Sequence, residues 1–377
     1  MSVPDASQSI KPSQARVIII SDVHLGTKSC QAAYLIEFLR SLDLTTLDHL
    51  IINGDFFDGW DIEKNTTRPY LDELQLKVID EINYIAANTK VTYIPGNHDE
   101  KLMHYLMPQA DTVRLKKFLE DTTNKLRVKV DDFLEGKKGK KYTFRASKSG
   151  QDATIHFARG LIHETLNGKR YAVQHGHQFD IWMMSTLKGV SKGAGKIYES
   201  LLATKPPEYA GDESKKSGHY TKYKPGRDNW SLNKAIKSVG KQASGVKRAF
   251  RKAAASVPRD YGLDGIILGH IHELIDRQVN GYHYLNSGDW KENCSALIED
   301  RSGTFHAIDW MKKRKNLGYE DEPEIACESN ARAYRGVTMR QVALLKHIWQ
   351  PRDYTKFRSH ELTNIKKALA SRYKAEA

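Results

Sequence analysis

Five times along this chain an apolar run of strand length stops at a short polar loop carrying histidine, aspartate or asparagine. The five are VIIISDVHLG, LIINGDFFD, TYIPGNHDE, YAVQHGHQFD and IILGHIHE. The leading runs do not alternate with polar residues, so they suit strands buried on both faces, the condition of parallel strands in α/β proteins. Between the early ones lie CQAAYLIEFLRSL and LDELQLKVIDEINYIAAN, which have helical spacing. This alternation predicts an α/β core. Ligands in such cores gather at the carboxyl ends of strands, where all five loops fall.

Together the loops supply Asp22, His24, Asp55, Asn97, His98, His175, His270 and His272. Nitrogen and oxygen donors without cysteine suit catalytic Mn²⁺, Fe or Zn²⁺ rather than a closed structural zinc site. Asp22 and His24 are two apart, as are His270 and His272, and in extended backbone such pairs point the same way. Each fragment alone is weak, because a lone histidine is more often a core or surface residue than a ligand. Five in fixed order, each at a strand end, identify a metal site. His177 stands one residue beyond His175, and Asp58 and Asp61 flank Trp60. These three are expected either to touch the ligands or substrate, or to pack and solvate their loops.

The series DVH, GDFFD, GNHD, HGH and GHIH resembles the calcineurin-like metallophosphoesterase superfamily, over about residues 16–310. The resemblance implies a two-sheet αββα sandwich and a pair of divalent cations, manganese first, with iron or zinc as alternatives. Asp22, His24 and His272 would then bind one cation, Asn97, His175 and His270 the other, and Asp55 would bridge them. Two such cations hold a bridging hydroxide for in-line attack while neutralising phosphoryl oxygens. His98 would face the substrate, stabilising charge or protonating the leaving oxygen. Asp99 would orient His98 or cap the following helix. Within the match, NGDFFDGW, HGHQFD, DGIILGHIHE and LNSGDWKENCSALIE are similar to the UDP-2,3-diacylglucosamine pyrophosphatase family. The strict lipid-A pathway enzymes carry arginine at the position of His98 and aspartate at that of His177. The run from Asn286 to Trp290 is expected to buttress the site.

Charge adds a partner class. The 377 residues carry a net +13, and residues 181–258 hold 16 Lys/Arg against 5 Asp/Glu, or +11 of it. So concentrated an excess suits an anionic partner: a phosphorylated substrate, an anionic membrane surface or nucleic acid. The chain is expected to divide into a flexible arm (1–15), a discontinuous core (16–180 and 259–312), a basic helical cap (181–258) and a basic helical tail (313–377). Two hairpins are expected in the core, turning at Ser149-Gly150 and Asn167-Gly168. In the resembling family a cap in this place covers acyl chains, and VKRAFRKAAASV has the basic amphipathic pattern of a membrane interface.

No apolar run approaches the roughly 18 residues of a spanning helix, and the N-terminus lacks a signal peptide's apolar core. Three cysteines, Cys30, Cys294 and Cys327, are odd in number and far apart, which predicts reduced thiols in a cytoplasmic protein, and the basic cap adds the expectation of a place peripheral to the inner membrane. The leading expectation is therefore a dinuclear hydrolase of a phosphoanhydride or phosphodiester in a nucleotide-linked lipid such as UDP-2,3-diacylglucosamine. A nuclease or nucleotide phosphodiesterase is the alternative, since the basic segment could track a nucleic-acid backbone. A non-catalytic binding protein on a degenerate fold would lack a ligand, and none is missing.

Overall fold

A computed structural model describes residues 10–59, 71–99, 140–145, 152–177, 179, 248, 250–326 and 329–348. Trp60, Asp61, the expected turn Ser149-Gly150, Cys327 and the whole of the segment 181–247 lie outside them.

The first three apolar runs form β1 (Val17–Ile20), β2 (His49–Asn53) and β3 (Lys90–Ile94), which pair in parallel with their carboxyl ends at one edge. The expected helices fall between them as α1 (Ala32–Arg40) and α2 (Glu73–Asn88). Asp72 caps α2, accepting from Gln75 N–H at 2.9 Å, the usual way an aspartate satisfies a free amide of the first turn. The first hairpin pairs β4 (Lys140–Arg145) with β5 (Asp152–Phe157), and β5 runs parallel to β3. The second pairs β6 (Leu161–Glu164) with β7 (Arg170–Val173), turning at Gly168 with φ +81°. Then come α3 (Ser256–Tyr261), β8 (Gly265–Leu268), β9 (Leu274–Val279), β10 (Tyr282–Ser287), β11 (Ser295–Glu299), β12 (Phe305–Asp309), α4 (Trp310–Asn316) and α5 (Arg335–Ile348).

Two sheets result, with strand orders β12-β11-β1-β2-β3-β5-β4 and β6-β7-β8-β10-β9. The unbroken VIII of β1 now has its reason. Val17 and Ile19 face the second sheet, packing with Tyr171, Val173, Ile267 and Leu285. Ile18 and Ile20 face the helical side, with Leu35, Phe38, Val78 and Ile82. The outer face of the second sheet is covered by Phe250, Ala253 and Ala254, part of the segment expected as a cap. The chain is thus an α/β protein with two stacked sheets and helical residues on both outer faces.

The segment expected as a tail contributes to this core. Tyr334, Val337, Val342 and Leu345 join the cluster against α2. Thr338 Oγ1 donates to the Asp80 carboxylate, and Asn83 Nδ2 donates to Gln341 Oε1 at 2.9 Å.

Candidate metal centre

The ladder between β1 and β2 continues past both strands into their loops. Asp22 N–H donates to the Gly54 carbonyl (3.0 Å), His24 to Asp55 (2.9 Å) and Leu25 to Phe56 (2.8 Å). To keep these bonds while turning side chains toward one point, the backbone enters the left-handed region. Asp22 (φ 54°), His24 (52°), Asp55 (51°), His270 (70°) and His272 (52°) all lie there, and only Asn280 and Cys294 join them among described non-glycine residues. Such a conformation costs about 1–2 kcal/mol for a residue with a Cβ. Its concentration in five of the expected ligands marks a place where geometry has been kept at the expense of stability. Gly96 serves the same convergence sterically. A Cβ there would stand 2.7 Å from both Asp55 N and His175 Cδ2.

The ligand atoms fall into three buried groups, each with its atoms within 4.8 Å of one another: Asp22, His24 and His272; His24, Asp55 and His98; and Asp55, His175 and His270. Asp55 belongs to two of them and is central. Its Oδ1 accepts from His98 N–H at 2.8 Å. Its Oδ2 lies 3.2 Å from His175 Nε2, 3.9 Å from His24 Nε2 and 4.0 Å from His98 Nε2. Asp22 repeats the device: Oδ2 accepts from His270 N–H at 3.0 Å, and Oδ1 faces His272 Nε2 at 3.2 Å. In each carboxylate one oxygen is held by backbone and the other is presented to the histidines.

The imidazoles are oriented from behind. His175 Nδ1 donates to the Asn53 carbonyl at 2.8 Å, which leaves the Nε2 lone pair pointing inward. Asp58, buried at 5% exposure, places Oδ2 at 3.1 Å from Nδ1 of both His24 and His98. The sequence left open whether Asp58 merely solvated a loop; instead it lies behind two histidines of the centre.

Asp99 departs from expectation. Its Oδ2 accepts from Phe56 N–H at 2.9 Å and from the Tyr93 hydroxyl, and its Oδ1 from Gly96 N–H. Its carboxylate ties the loop after β2 to the end of β3 and to its own loop, while His98 turns its Nδ1 toward Asp58. His177 lies beside the His175–His270 side, its ring centroid 5.6 Å from His175 and 6.3 Å from His270.

Electrostatics follow the crowding. Burial opposes charge on Asp55, yet His175 and His98 overcome it and hold the carboxyl well below its usual range. Asp22 is likewise brought down to about 2, against burial, by His175 and His272. Burial disfavours a charged His175, but Asp55 and Asp22 push it up to about 10. His24 goes the other way, to about 3, through burial and the nearby Lys291 and His98. For His98 burial is outweighed by Asp58 and Asp55, which raise it. Burial and the Asp55 charge raise Asp99 to about 6.

Asp22 Oδ1, His175 Nε2 and Asn97 Oδ1, all on residues expected to bind cations, are among the buried side-chain atoms left without a hydrogen bond, as is Asn53 Oδ1 behind the centre, and buried polar atoms are usually paired. The donors are imidazole, carboxylate and amide, a set that suits Mn²⁺, Fe or Zn²⁺. The residues fit a pair of divalent ions.

The run Asn286–Trp290 supports the centre as expected. Asn286 Nδ2 donates to the Gly269 carbonyl (2.6 Å), Ser287 Oγ to Leu268 (3.2 Å) and Trp290 N–H to Asp22 (3.1 Å). Two supports were not singled out from sequence: Asn53, which acts through a backbone carbonyl, and Lys291, a lysine buried at 5% exposure. Neither carries a motif; only the ends of neighbouring strands could have pointed to them.

The family model for calcineurin-like phosphoesterases matches residues 15–274, well over half of the chain. No curated protein matches it significantly. Among solved structures, an archaeal phosphodiesterase is 14% identical, covering 78% of this chain and 98% of its own, with a TM-score of 0.27. A dimetal phosphatase from Danio rerio is 12% identical, covering 76% and 93%, with a TM-score of 0.33. Vacuolar protein sorting 29 from Cryptosporidium parvum is 11% identical, covering 78% and 94%, with a TM-score of 0.26. Likeness at this level says nothing of substrate. No helix among the described residues is long and apolar enough to cross a membrane. The chain belongs to the calcineurin-like phosphoesterase family, as a metal-dependent hydrolase of phosphoester bonds.

Proposed function

We propose that the chain hydrolyses a phosphoanhydride or phosphodiester bond at a centre of two divalent cations, held by Asp22, His24 and His272 on one side and by Asn97, His175 and His270 on the other, with Asp55 between them. The observation that carries this is the set of three buried groups of ligand atoms, the atoms of each within 4.8 Å of one another, amid backbone strained at the ligand positions. Manganese is the expected ion, and iron or zinc suits the same donors. When bound, such cations neutralise phosphoryl charge and activate water for in-line displacement.

The protein's part is positioning and proton handling. His98 N–H fixes the Asp55 carboxylate, and the Asn53 carbonyl keeps the His175 Nε2 lone pair directed inward. His98, with Nδ1 on Asp58, presents Nε2 to the substrate and gives its proton to the leaving oxygen. His177 stands where it can contact substrate on the His175–His270 side.

For the substrate we infer a nucleotide-linked lipid such as UDP-2,3-diacylglucosamine, met by the basic segment 181–258 at an anionic, cytoplasmic membrane face. The motif run and the +11 charge of that segment support this. The same charge favours a second reading, a nuclease or nucleotide phosphodiesterase. A panel on Mn²⁺-loaded protein separates them: UDP-diacylglucosamine, bis(p-nitrophenyl) phosphate, cyclic nucleotides and single-stranded DNA. Release of UMP from the lipid at the highest kcat/KM supports the first; rapid cleavage of DNA alone overturns it.

A further inference from the structure

Phe250 belongs to the basic segment and to none of the five motifs, yet it is buried at 1% exposure. Helical residues 250–254 put Phe250, Ala253 and Ala254 on one face, at the i, i+3 and i+4 positions of a turn. That face joins Leu263, Ile266, Leu268 and Ile271 in the apolar cluster of the second sheet. The ring falls where β7 and β8 end. A Cβ on Gly176, the residue between His175 and His177, would stand 3.4 Å from Phe250 Cζ and 3.6 Å from Leu268 Cβ. Beside it Gly269 N–H donates to the His175 carbonyl at 2.9 Å, which ties the loop of His175 to the loop of His270.

Three rings stand around the His270 imidazole. The His175 centroid is 5.2 Å away at 68°, that of His177 6.3 Å at 71°, and that of Phe250 6.2 Å at 33°. All lie within the roughly 4.5–7 Å over which aromatic rings pack. The two histidines meet His270 near edge-on, and Phe250 is the ring of the three most nearly parallel to it. Phe179 backs Phe250 in turn, at 5.8 Å and 85°. One residue on, Arg251 Nη1 faces Glu273 Oε2 at 4.0 Å, so consecutive helical residues meet both ends of the stretch from His270 to Glu273. Asp22 Oδ2 accepts from His270 N–H at 3.0 Å, which fixes the backbone but not the ring, whose terminal torsion is intrinsically broad. A buried flat neighbour restricts that torsion, and apolar bulk behind a ligand limits the access of water to it.

Resting on the two-cation reading, we propose that Phe250 is a positioning residue: its ring holds the His270 imidazole toward Asp55 and His175, the other members of its metal group. Cation binding on the Asn97, His175 and His270 side then depends on a residue of the basic segment. The segment whose charge suits an anionic partner thereby also supports a metal-binding histidine.

The test is calorimetric titration of metal-free protein with Mn²⁺, beside the NMR spectrum of its histidine side chains and the thermal midpoint. Phe250→Ala should weaken one of two Mn²⁺ ions about 10- to 100-fold and leave the other within about twofold. In a His270→Ala background the same substitution should add less than about twofold, because the residue it acts through is gone. In metal-free protein the His270 ring signals, assigned by their loss in His270→Ala, should move or broaden in Phe250→Ala while those of His24 hold. Leu263→Ala opens a cavity in the same apolar cluster; it should lower the thermal midpoint comparably and keep both ions. Equal weakening of both ions in Phe250→Ala overturns the proposal, as does the same loss in Leu263→Ala or an unchanged His270 signal. If Phe250→Ala fails to fold, Phe250→Leu takes its place in the same comparison. Wild-type protein that binds fewer than two Mn²⁺ ions would sink the two-cation reading, and the His270 signals would still decide the role of Phe250.

Discussion

Asp58 offers the sharpest test of how the centre is built. One of its oxygens lies 3.1 Å from Nδ1 of His24 and of His98, hydrogen-bonding His24 and placing its charge beside His98, so a single carboxylate stands behind two rings. Asp58→Asn keeps the shape and one acceptor oxygen but removes the charge. Each hydrogen bond to a charged acceptor is worth about 1.5–3 kcal/mol, and loss of a group behind a metal-binding histidine typically costs about 10- to 100-fold in metal affinity or activity. The variant should therefore bind Mn²⁺ about 10- to 100-fold more weakly by calorimetry. His98 supplies a second readout. Asp58 and Asp55 together raise its proton affinity against burial, and an acidic neighbour at this range contributes about 1–3 pH units. If His98 acts as the proton donor, activity falls as pH rises through its pKa. Without the Asp58 charge that fall should move to lower pH by about one unit or more. Saturating the variant with Mn²⁺ should restore occupancy but not the alkaline limb. Wild-type metal affinity together with an unmoved limb would show that Asp58 orients neither ring.

Three further outcomes are expected. Asp55→Asn should lower turnover by more than the roughly 100-fold typical of residues that only support ligands, with far-ultraviolet circular dichroism unchanged; wild-type turnover in added Mn²⁺ would refute a shared central carboxylate. Gly96→Ala should weaken metal binding at least tenfold and destabilise by about 1–3 kcal/mol, because its Cβ would press on Asp55 N and His175 Cδ2 at 2.7 Å; denaturant melts and metal titration read both. His49, buried against Thr92 Oγ1 at 2.8 Å, is brought down to about 2 by burial and by Lys90. Its unfolded value is near 6.5, so the unfolded chain takes up the proton first and stability falls as pH drops below that value. The slope is about 1.4 kcal/mol per pH unit, or about 2 kcal/mol at pH 5, and His49→Gln should flatten it.

Much of this was legible in sequence because the relevant signals are local. Unalternating runs such as VIII declared strands buried on two faces, and Asn167-Gly168 declared a turn. The residues expected to bind metal could be named because each sits where an apolar run stops. The illegible part depends on distant strands meeting. Nothing near Asp99 says that Tyr93 and Phe56 will occupy its carboxylate, or that Asp58 will take the place behind His98. Asn53 acts through a carbonyl that every residue has. Lys291 reads as a surface lysine until the Asp289 turn folds it inward. The helix of 335–348 reads as an appendage because its apolar residues find partners on α2, about 250 residues earlier in the chain.

The parallel strands have a consequence beyond the chemistry they present. The bonds from Asp22, His24 and Leu25 to the loop after β2 lock two of the polar loops to each other, so neither can shift its metal-binding residues alone. A change that moves one loop is therefore transmitted to the other, and the two vary together or not at all.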